Sequence, residues 1–368
     1  MAKGFSLSTF PWSYQAKYNS KNVWEERFIE RPHLSSMEEE EKLDEDSYNQ
    51  LLEKRNCFDN LPLVNYTTQY GLGCFEGMKA FPFKDGSIKL FRPDQNANRF
   101  ANSMSGLKMP TMNVEQFVKA HCTLLQKNKE IGFSVAYNSE WEKDNYLSAH
   151  AIYIRPFTYS EGAVGLGLSH NPWIISVATP VGSYFKPGSA KAVTTNMTRA
   201  TPFGTGNIKC DANYVIPILA KKNAEAQGYM EAIFLDPISH TYVEEGSSCN
   251  IFFVLKDDTV VTPALGDTIL PGITRKSVIQ LAKDLGMKVE ERKISIDEVL
   301  ENTKESFVTG TAAGISHFQS ITHNDKTVTY SDGSITPVAL QLLLELKGIQ
   351  YGAIADRHNW MLDINSKV

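Results

Sequence analysis

Four short segments of the chain carry side chains whose types and spacing suggest joint chemistry. Lys209 follows a glycine-containing turn just before a predicted helix, and Tyr214 lies five residues further on. Glu245 stands in a Val-Glu-Glu-Gly turn before a strongly apolar segment, and Pro271-Gly272 opens another predicted helix. Each feature alone is common, since most lysines beside a helix start are simply solvated. Together they are the parts that an aldehyde cofactor bearing a phosphate group requires.

Each group has a physical reason to belong to a pyridoxal phosphate site. The amine of Lys209 can bond covalently to the aldehyde and can carry a proton once a substrate amine has displaced it. The carboxylate of Glu245 can keep the pyridine ring protonated, and the phenol of Tyr214 can bind the ring oxygen. Backbone N–H groups of Ile273 and Thr274, at a helix start, form an anion site for the phosphate.

Hydrophobic periodicity predicts the elements that position these groups. Three segments rich in β-branched and aromatic residues are predicted strands: 151–159, 232–235 and 250–254. Apolar residues at helical spacing predict a helix from Val114 to Leu125, in which His121 is expected to be a core histidine rather than a metal ligand. Further helices are expected from Asp211 to Gly228 and from Pro271 to Gly286. Strands and helices in both halves predict an α+β or mixed α/β fold.

A chain of 368 residues is long enough for two domains. Residues 182–192 collect glycine, proline, serine and lysine, which is typical of an exposed connection. We therefore expect a smaller N-terminal α/β domain over 1–181, an interdomain loop over 182–192, and a larger C-terminal domain over 193–368 that carries Lys209. The acidic block from Glu38 to Asp46 is expected to be a solvated face of a helix or loop.

Composition excludes several classes of function. Asp and Glu total 42 against 37 Lys and Arg, and the resulting net charge of −5 predicts no nucleic-acid partner. The longest apolar run, 251–255, is far shorter than the roughly 20 residues of a membrane-spanning helix. Residues 1–21 lack the apolar core of a signal peptide, so a cytoplasmic protein without a membrane partner is expected. The five cysteines have no paired spacing that indicates a disulfide framework or a metal site.

Several motifs, in order, resemble those of the branched-chain-amino-acid aminotransferases, a fold-type IV family of pyridoxal phosphate enzymes. The resemblance extends from about Asn65 to Met361. Its most specific stretches are Cys74–Phe81, Leu90–Pro93, Tyr153–Pro156, Gly206–Lys209, Glu245–Phe252, Leu270–Arg275, Gly310–Ala312 and Ile349–Gly352. The resemblance implies the two-domain architecture of that family, with pyridoxal 5'-phosphate as cofactor.

The resemblance also implies a role for each matching position. Lys209 would be the catalytic lysine, Tyr214 the partner of the ring oxygen and Glu245 the partner of the pyridine nitrogen. The residues that would hold the phosphate are Arg99, Ile273, Thr274 and Thr311. The substrate pocket would be lined by Tyr70, Phe75, Tyr153 and Arg155, and the substrate carboxylate would be bound by the backbone at Ser248 and at Thr311-Ala312.

The implied reaction is a ping-pong transfer of the amino group between L-leucine, L-isoleucine or L-valine and 2-oxoglutarate. Its partners would be small amino acids and 2-oxo acids, and the family precedent is a homodimer. D-Amino-acid aminotransferase and aminodeoxychorismate lyase of the same fold would use the same cofactor residues, so they stay as alternatives. A nicotinamide enzyme is disfavoured because no glycine fingerprint follows a strand.

Overall fold

The structure is a computed structural model that describes residues 8–58, 60–182 and 190–366. The chain divides into two compact units. One comprises Met1–Tyr184 together with Gly348–Val368, and the other comprises Phe185–Lys347. Both contain a sheet and several helices, as expected for an α+β protein.

The first unit is built on an antiparallel sheet. Its strands are β1 (Trp12–Tyr18), β2 (Trp24–Glu30), β3 (Met78–Pro82), β4 (Ile88–Phe91), β5 (Ala151–Tyr159), β6 (Trp173–Val181) and β17 (Met361–Asp363). Within the described residues, these seven strands pair in the order β17-β4-β3-β5-β6-β1-β2. Its helices are α1 (Met37–Glu40), α2 (Glu45–Arg55), α3 (Tyr66–Tyr70), α4 (Pro93–Gly106) and α5 (Val114–Glu130), with a 3-10 helix at Ser139–Asp144.

Helix α5 supports this sheet through the apolar face that the sequence predicts. Asn113 caps the helix, its side chain accepting the Gln116 N–H at 2.8 Å. His121 is fully buried, with Nδ1 2.7 Å from the Phe117 carbonyl oxygen and Nε2 2.9 Å from Ser176 Oγ. Burial lowers the pKa of His121 to about 4, so the ring is neutral at physiological pH. The prediction of a core histidine is confirmed.

The second unit is built on a mixed sheet. Its strands are β7 (Lys191–Thr195), β8 (Glu231–Leu235), β9 (Val243–Gly246), β10 (Asn250–Leu255), β11 (Val260–Thr262), β12 (Val289–Glu291), β13 (Thr303–Gly310), β14 (Gly314–His317), β15 (Ser320–His323) and β16 (Lys326–Thr329). Its helices are α6 (Val215–Ala226), α7 (Ile273–Asp284), α8 (Ile296–Asn302) and α9 (Pro337–Gln350, which runs on past the division), with a 3-10 helix at Asp211–Tyr214. Buried aliphatic and aromatic side chains such as Ile233, Ile251, Phe253 and Val308 form its core.

The predicted helices of this unit form with two local differences. Helix α7 starts at Ile273, directly after Gly272, and ends at Asp284, just before Gly286 with its positive φ of 75°. The helix expected from Asp211 begins as a 3-10 turn and becomes regular α6 only at Val215. The tighter first turn keeps Tyr214 close to the loop that precedes it.

The predicted domain limits differ from the division in the structure. Residues 348–368 belong with the first unit, because β17 pairs with β4 through Met361↔Phe91 and its neighbours. The first unit is consequently the larger of the two. The expected loop over 182–192 lies mostly outside the described residues, and its last residues, Lys191 and Ala192, begin strand β7.

The acidic block 38–46 is not wholly a solvated face. Most of its side chains are exposed, but Glu40 is buried and forms an ion pair with the buried Arg55. Arg55 Nη1 also donates to the Thr9 carbonyl at 2.7 Å and its Nε to the Pro32 carbonyl at 3.0 Å. Because a buried charge needs its partner, this pair ties the acidic helix α1 to the body of the first unit.

Two features are missing from the part of the chain that the structure describes. One is a helix long and apolar enough to cross a bilayer. The other is a cluster of three or more histidine, cysteine or acidic side chains able to hold a metal ion.

Candidate active site

Lys209 and Tyr214 form a pair in the loop that leads to α6. Lys209 Nζ lies 2.6 Å from Tyr214 Oη, and both side chains are half-buried. Asn213 braces the loop, its Nδ2 donating to the carbonyl oxygens of Thr205 at 2.7 Å and Ile208 at 3.0 Å. The sequence prediction gave Asn213 no role, although it stands between the two predicted site residues.

Close packing around Gly206 explains why a glycine stands three residues before Lys209. A Cβ at this position would lie 2.6 Å from Ala200 Cβ and 2.7 Å from Thr268 Cα. Both distances are below any real contact, so only glycine fits here. The glycine-containing turn is a packing requirement that brings the loop close to its neighbours.

Glu245 lies on β9, opposite Asn250 of β10, and its side chain is 3% exposed. Three groups contact its carboxylate: Arg199 Nη2 at 2.5 Å, Asn250 Nδ2 at 3.2 Å and the Leu270 N–H at 3.3 Å. Arg199 also donates to the Gly206 carbonyl at 3.0 Å, which links the carboxylate to the Lys209 loop. Sequence analysis did not predict a role for Arg199.

The adjacent Glu244 is buried as well but makes a different contact. Its Oε1 accepts from Thr268 Oγ1 at 2.6 Å. Successive side chains of a strand point to opposite faces, so only one of the two acids can face the lysine side. Arg199 joins the Glu245 carboxylate to the Gly206 carbonyl of the Lys209 loop, which favours Glu245 as the site carboxylate.

Burial sets the electrostatics of this carboxylate. Desolvation, with a smaller contribution from nearby Glu244, raises the pKa of Glu245 to about 7 against the opposing effects of the Arg199 charge, the Leu270 N–H and the Lys209 charge. An anionic carboxylate beside a ring nitrogen stabilises the protonated ring, and the Arg199 charge favours the anionic form of Glu245. This negative charge is what a group needs to keep a pyridine ring protonated.

The start of α7 offers backbone donors for an anion. Ile273 and Thr274 are buried first-turn residues, and no side chain caps this N-terminus. A Cβ on Gly272 would lie 2.0 Å from Asn250 Oδ1, so glycine is required for the close approach of β10 and α7. The first N–H groups of an uncapped helix lack partners within the helix and attract negative charge.

Ser248 and the segment 310–312 meet at one edge of the second sheet. The register Asn250↔Thr309 between β10 and β13 brings the ends of both strands together. A Cβ on Gly310 would lie 3.8 Å from the Ser248 carbonyl oxygen. Ser248 is exposed, and Thr311 and Ala312 are half-buried in the following turn. The structure therefore brings together the residues predicted to bind a carboxylate.

In the first unit, Phe75, Tyr153 and Arg155 form a second group. Tyr153 and Arg155 alternate along β5 and so share a face of its sheet. Arg155 Nη2 donates to Tyr153 Oη at 2.8 Å, and its guanidinium lies 4.7 Å from the centroid of the Phe75 ring. A Cβ on Gly77 would lie 2.1 Å from Tyr153 Oη, so this glycine makes room for the phenol.

Arg99 and Tyr70 have other surroundings in this unit. Arg99 is buried on α4 and pairs with the fully buried Glu76, through Nε–Oε2 at 2.8 Å and Nη2–Oε1 at 2.5 Å. The sequence prediction missed Glu76, although a lone acid within the apolar stretch 74–81 is a signal for a buried partner. Tyr70 ends α3 and is 44% exposed, so the single chain leaves its ring open to solvent.

Comparison with known proteins identifies the family. The model of class IV amino-transferases matches residues 73–321. A chloroplastic branched-chain-amino-acid aminotransferase of Arabidopsis thaliana is 42% identical over 80% of this chain and 70% of its own length. A protein of Staphylococcus aureus described as a probable branched-chain-amino-acid aminotransferase is 38% identical over 79% of this chain and 80% of its own. The chain belongs to this family.

A solved structure also supports the assignment of this chain to the branched-chain-amino-acid aminotransferases. The branched-chain amino acid aminotransferase of Thermobaculum terrenum, solved in its PLP form, superposes with a TM-score of 0.73 at 25% identity and covers 98% of this chain and 100% of that one. The predicted family, the α+β two-domain fold type and the class of enzyme are confirmed. The buried Glu245, the Lys209–Tyr214 pair and the uncapped α7 fit the pyridoxal phosphate that the family uses.

Proposed function

We propose that this aminotransferase moves the amino group between L-leucine, L-isoleucine or L-valine and 2-oxoglutarate, with pyridoxal 5'-phosphate as its cofactor. The observation that carries the proposal is the Lys209–Tyr214 pair at 2.6 Å in the same unit as the buried carboxylate of Glu245. When bound, the cofactor supplies an electron sink for the electron pair released at the substrate Cα. The protein supplies binding groups and the proton carrier.

Lys209 Nζ is the proton carrier in this proposal. It accepts the proton that leaves the Cα of the amino-acid substrate. In the second half-reaction it returns a proton to the Cα of the amino acid that forms from the 2-oxo acid. Tyr214 Oη, at 2.6 Å, fixes the position of the amine. Glu245 would hold the ring nitrogen, while Arg199 and Asn250 keep its carboxylate in place. These contacts set the geometry before substrate arrives, which lowers the reorganisation needed for reaction.

The phosphate of the cofactor would be held by the N–H groups of Ile273 and Thr274 and by Thr311. Arg99 would add its positive charge, as the resemblance implies. Its two bonds to Glu76 hold the guanidinium in one orientation. Within the second unit, Ile273 and Thr274 offer backbone dipoles and Thr311 a hydroxyl group to an anion.

The pocket must accept an aliphatic side chain and the γ-carboxylate of glutamate in turn. The rings of Phe75 and Tyr153 offer apolar contact to the first. Arg155, held by Tyr153, offers a charge to the second. The α-carboxylate that all these substrates share would bind the backbone at Ser248 and at Thr311-Ala312.

The alternatives within the fold are less well supported. D-Amino-acid aminotransferase and aminodeoxychorismate lyase would need the same cofactor residues, so the cofactor site does not separate them from the proposal. The relatives reported above are branched-chain enzymes by name and match about four fifths of this chain. That similarity favours the branched-chain substrates.

A homodimer is part of the proposal. Tyr70 is 44% exposed, and the large apolar side chains of Leu63 and Leu166 in the same unit are almost fully exposed. Val215 and Ile218 leave an apolar stripe on α6 exposed as well. A second copy covering such surfaces would remove them from water and complete the pocket around Tyr70. Light scattering of the purified protein should give twice the mass of one chain.

A cytoplasmic location remains a prediction from the sequence. Some plant relatives are chloroplastic or mitochondrial by name, so the family does not fix the compartment. Fractionation of cells that produce the tagged full-length chain would settle where it resides.

Initial rates with a panel of amino donors test the proposed substrates. With 2-oxoglutarate as acceptor, leucine, isoleucine and valine should exceed alanine by about one to two decades in kcat/KM, because each buried methylene contributes roughly 0.8 kcal/mol. Lys209→Ala is the control that should lose turnover without losing the fold. A clear preference for D-alanine over L-leucine would overturn the branched-chain proposal in favour of the D-amino-acid relative.

A further inference from the structure

A buried carboxylate without a role in the proposed reaction lies at the start of β8. Glu231 is 7% exposed. Its Oε1 accepts the N–H of Ser247 at 3.0 Å and the N–H of Ala232 at 3.0 Å, and it also accepts from the Ser247 hydroxyl. Its Oε2 faces Lys221 Nζ at 3.9 Å and Cys249 Sγ at 4.0 Å. One acid therefore holds two donors of a residue 16 positions away.

Ser247 begins the tight connection between β9 and β10. The Gly246 N–H donates to the Cys249 carbonyl at 2.9 Å and closes this turn, residues 247–249. A Cβ on Gly246 would lie 2.8 Å from Cys249 Sγ and 3.6 Å from Glu231 Cδ. The turn therefore lies directly against the Glu231 side chain.

The opposite side of the turn belongs to the proposed site. Ser248 is exposed there, and its carbonyl lies beside Gly310. The residues that flank the turn, Glu245 and Asn250, are themselves paired across β9 and β10. The strands fix the two ends of the turn, and Glu231 in addition holds its first residue, Ser247, which directly precedes Ser248.

Keeping this acid buried has an energetic cost. Desolvation raises the pKa of Glu231, and the charge of Lys221 and the N–H groups of Ser247 and Ala232 counteract the effect. A buried carboxylate without enough hydrogen-bond donors is destabilising, so Glu231 needs the donors of Ser247. The Ser247 donors in turn need Glu231 as their acceptor. Loss of the acceptor would leave the two donors of Ser247 unpaired below the turn.

We propose that Glu231 is a positioning residue for the substrate α-carboxylate, acting through Ser247 on the backbone at Ser248. This rests on the proposed function, in which that backbone binds the carboxylate common to amino-acid and 2-oxo-acid substrates. Because the carboxylate is common to both half-reactions, Glu231 governs the KM of both substrates together. It does not govern the choice between leucine and glutamate side chains, nor the proton transfer at Lys209.

Steady-state kinetics of the holoenzyme test this role with three variants. Glu231→Leu removes the acceptor and should raise KM for leucine and for 2-oxoglutarate by on the order of 10-fold each, with kcat within about threefold of wild type. Glu231→Gln keeps a carbonyl oxygen for Ser247 and should restore both KM values to within about threefold. Ser247→Ala, a smaller change, should move both KM values in the same direction by less than Glu231→Leu.

Glu305→Leu is the matched control. Glu305 is a buried acid of the same unit that accepts the Val338 N–H at 3.0 Å and the Ala339 N–H at 3.3 Å, at the start of α9. Its loss should lower the melting temperature and leave both KM values unchanged. If KM rises in Glu231→Leu but not in Glu305→Leu, the increase comes from the position of the turn and not from general destabilisation of the unit.

Three outcomes would contradict the inference while the wild type stays active. They are unchanged KM values in both Glu231→Leu and Ser247→Ala, a fall in kcat alone, or a Glu231→Gln variant as impaired as Glu231→Leu. If Glu231→Leu does not fold, Ser247→Ala alone decides through its two KM values. A wild-type protein without transaminase activity would instead refute the proposed function, so the two failures are distinguishable.

Discussion

The amine of Lys209 lies 2.6 Å from the phenol oxygen of Tyr214. The contact is local: the 3-10 turn Asp211–Tyr214 brings the phenol back toward the lysine before α6 begins. Asn213 holds the same loop through two backbone carbonyls. The proposed proton carrier and its proposed orienting group are therefore held together by one short segment of chain.

Tyr214→Phe tests this contact while keeping the ring. Without the hydroxyl, the lysine amine loses its orienting partner and the cofactor oxygen loses a donor, so kcat should fall by about 10- to 100-fold. Single-turnover rates with leucine measure the effect. Tyr229→Phe, a partly buried tyrosine packed on the core of the same unit, is the control and should retain full activity. Equal rates in wild type and Tyr214→Phe would remove the role of the phenol.

Glu245→Gln and Glu244→Gln form a natural pair of variants, because two adjacent buried acids make different contacts. Glu245→Gln should lower kcat by on the order of 10²-fold or more, if about 3 kcal/mol of pyridinium stabilisation is lost. Glu244→Gln keeps an acceptor for Thr268 and should change kcat by less than about threefold. Steady-state rates decide, and reversed effects would show that Glu244 is the site carboxylate.

Glu245 also makes the stability of the cofactor-free protein depend on pH. Its pKa is raised from 4.5 to about 7, so between these values the folded chain binds more protons than the unfolded chain. The contribution of Glu245 to the free energy of unfolding therefore falls as pH rises through this window. Urea unfolding of wild type and Glu245→Gln at about pH 5 and about pH 7 isolates that contribution from other groups. A difference between the two proteins that is the same at both pH values would contradict the expected shift.

Arg155→Met should separate the two half-reactions. The γ-carboxylate of glutamate needs a charged partner, whereas the side chain of leucine does not, so the glutamate half-reaction should slow by about 10- to 100-fold and the leucine half-reaction by only a few fold. Single-turnover spectra measure each one. Arg27→Met, which removes an arginine bonded to Gln15 in the same unit, is the control for general effects. Equal losses in both half-reactions would exclude a selective role for Arg155.

The sequence predicted the elements with strong local signals. The apolar periodicity of 114–125 led to α5, and the run 250–254 led to β10, because these patterns reflect which face is buried. Lys209 and Tyr214 were identifiable as a pair because they are close along the chain. Glu245 was distinguished from Glu244 only by the family resemblance.

The remaining features depend on contacts between distant parts of the chain. Arg199 reaches Glu245 from 46 positions away, and nothing in its local sequence marks it as buried. Glu231 meets Ser247 only because β8 lies next to β9 in the sheet. The return of β17 to the first unit was likewise missed, since a three-residue strand carries too little pattern to be assigned to a sheet.

The most direct test of the central claim is the visible absorption spectrum of the purified holoenzyme during two successive additions. If Lys209 and Glu245 form a pyridoxal phosphate site that exchanges amino groups between branched-chain amino acids and 2-oxoglutarate, L-leucine should convert the cofactor from its aldehyde to its amine spectrum. Subsequent 2-oxoglutarate should restore the first spectrum, and Lys209→Ala should show neither change at a comparable rate. A spectrum unaffected by L-leucine, with or without a response to D-alanine, would contradict the claim.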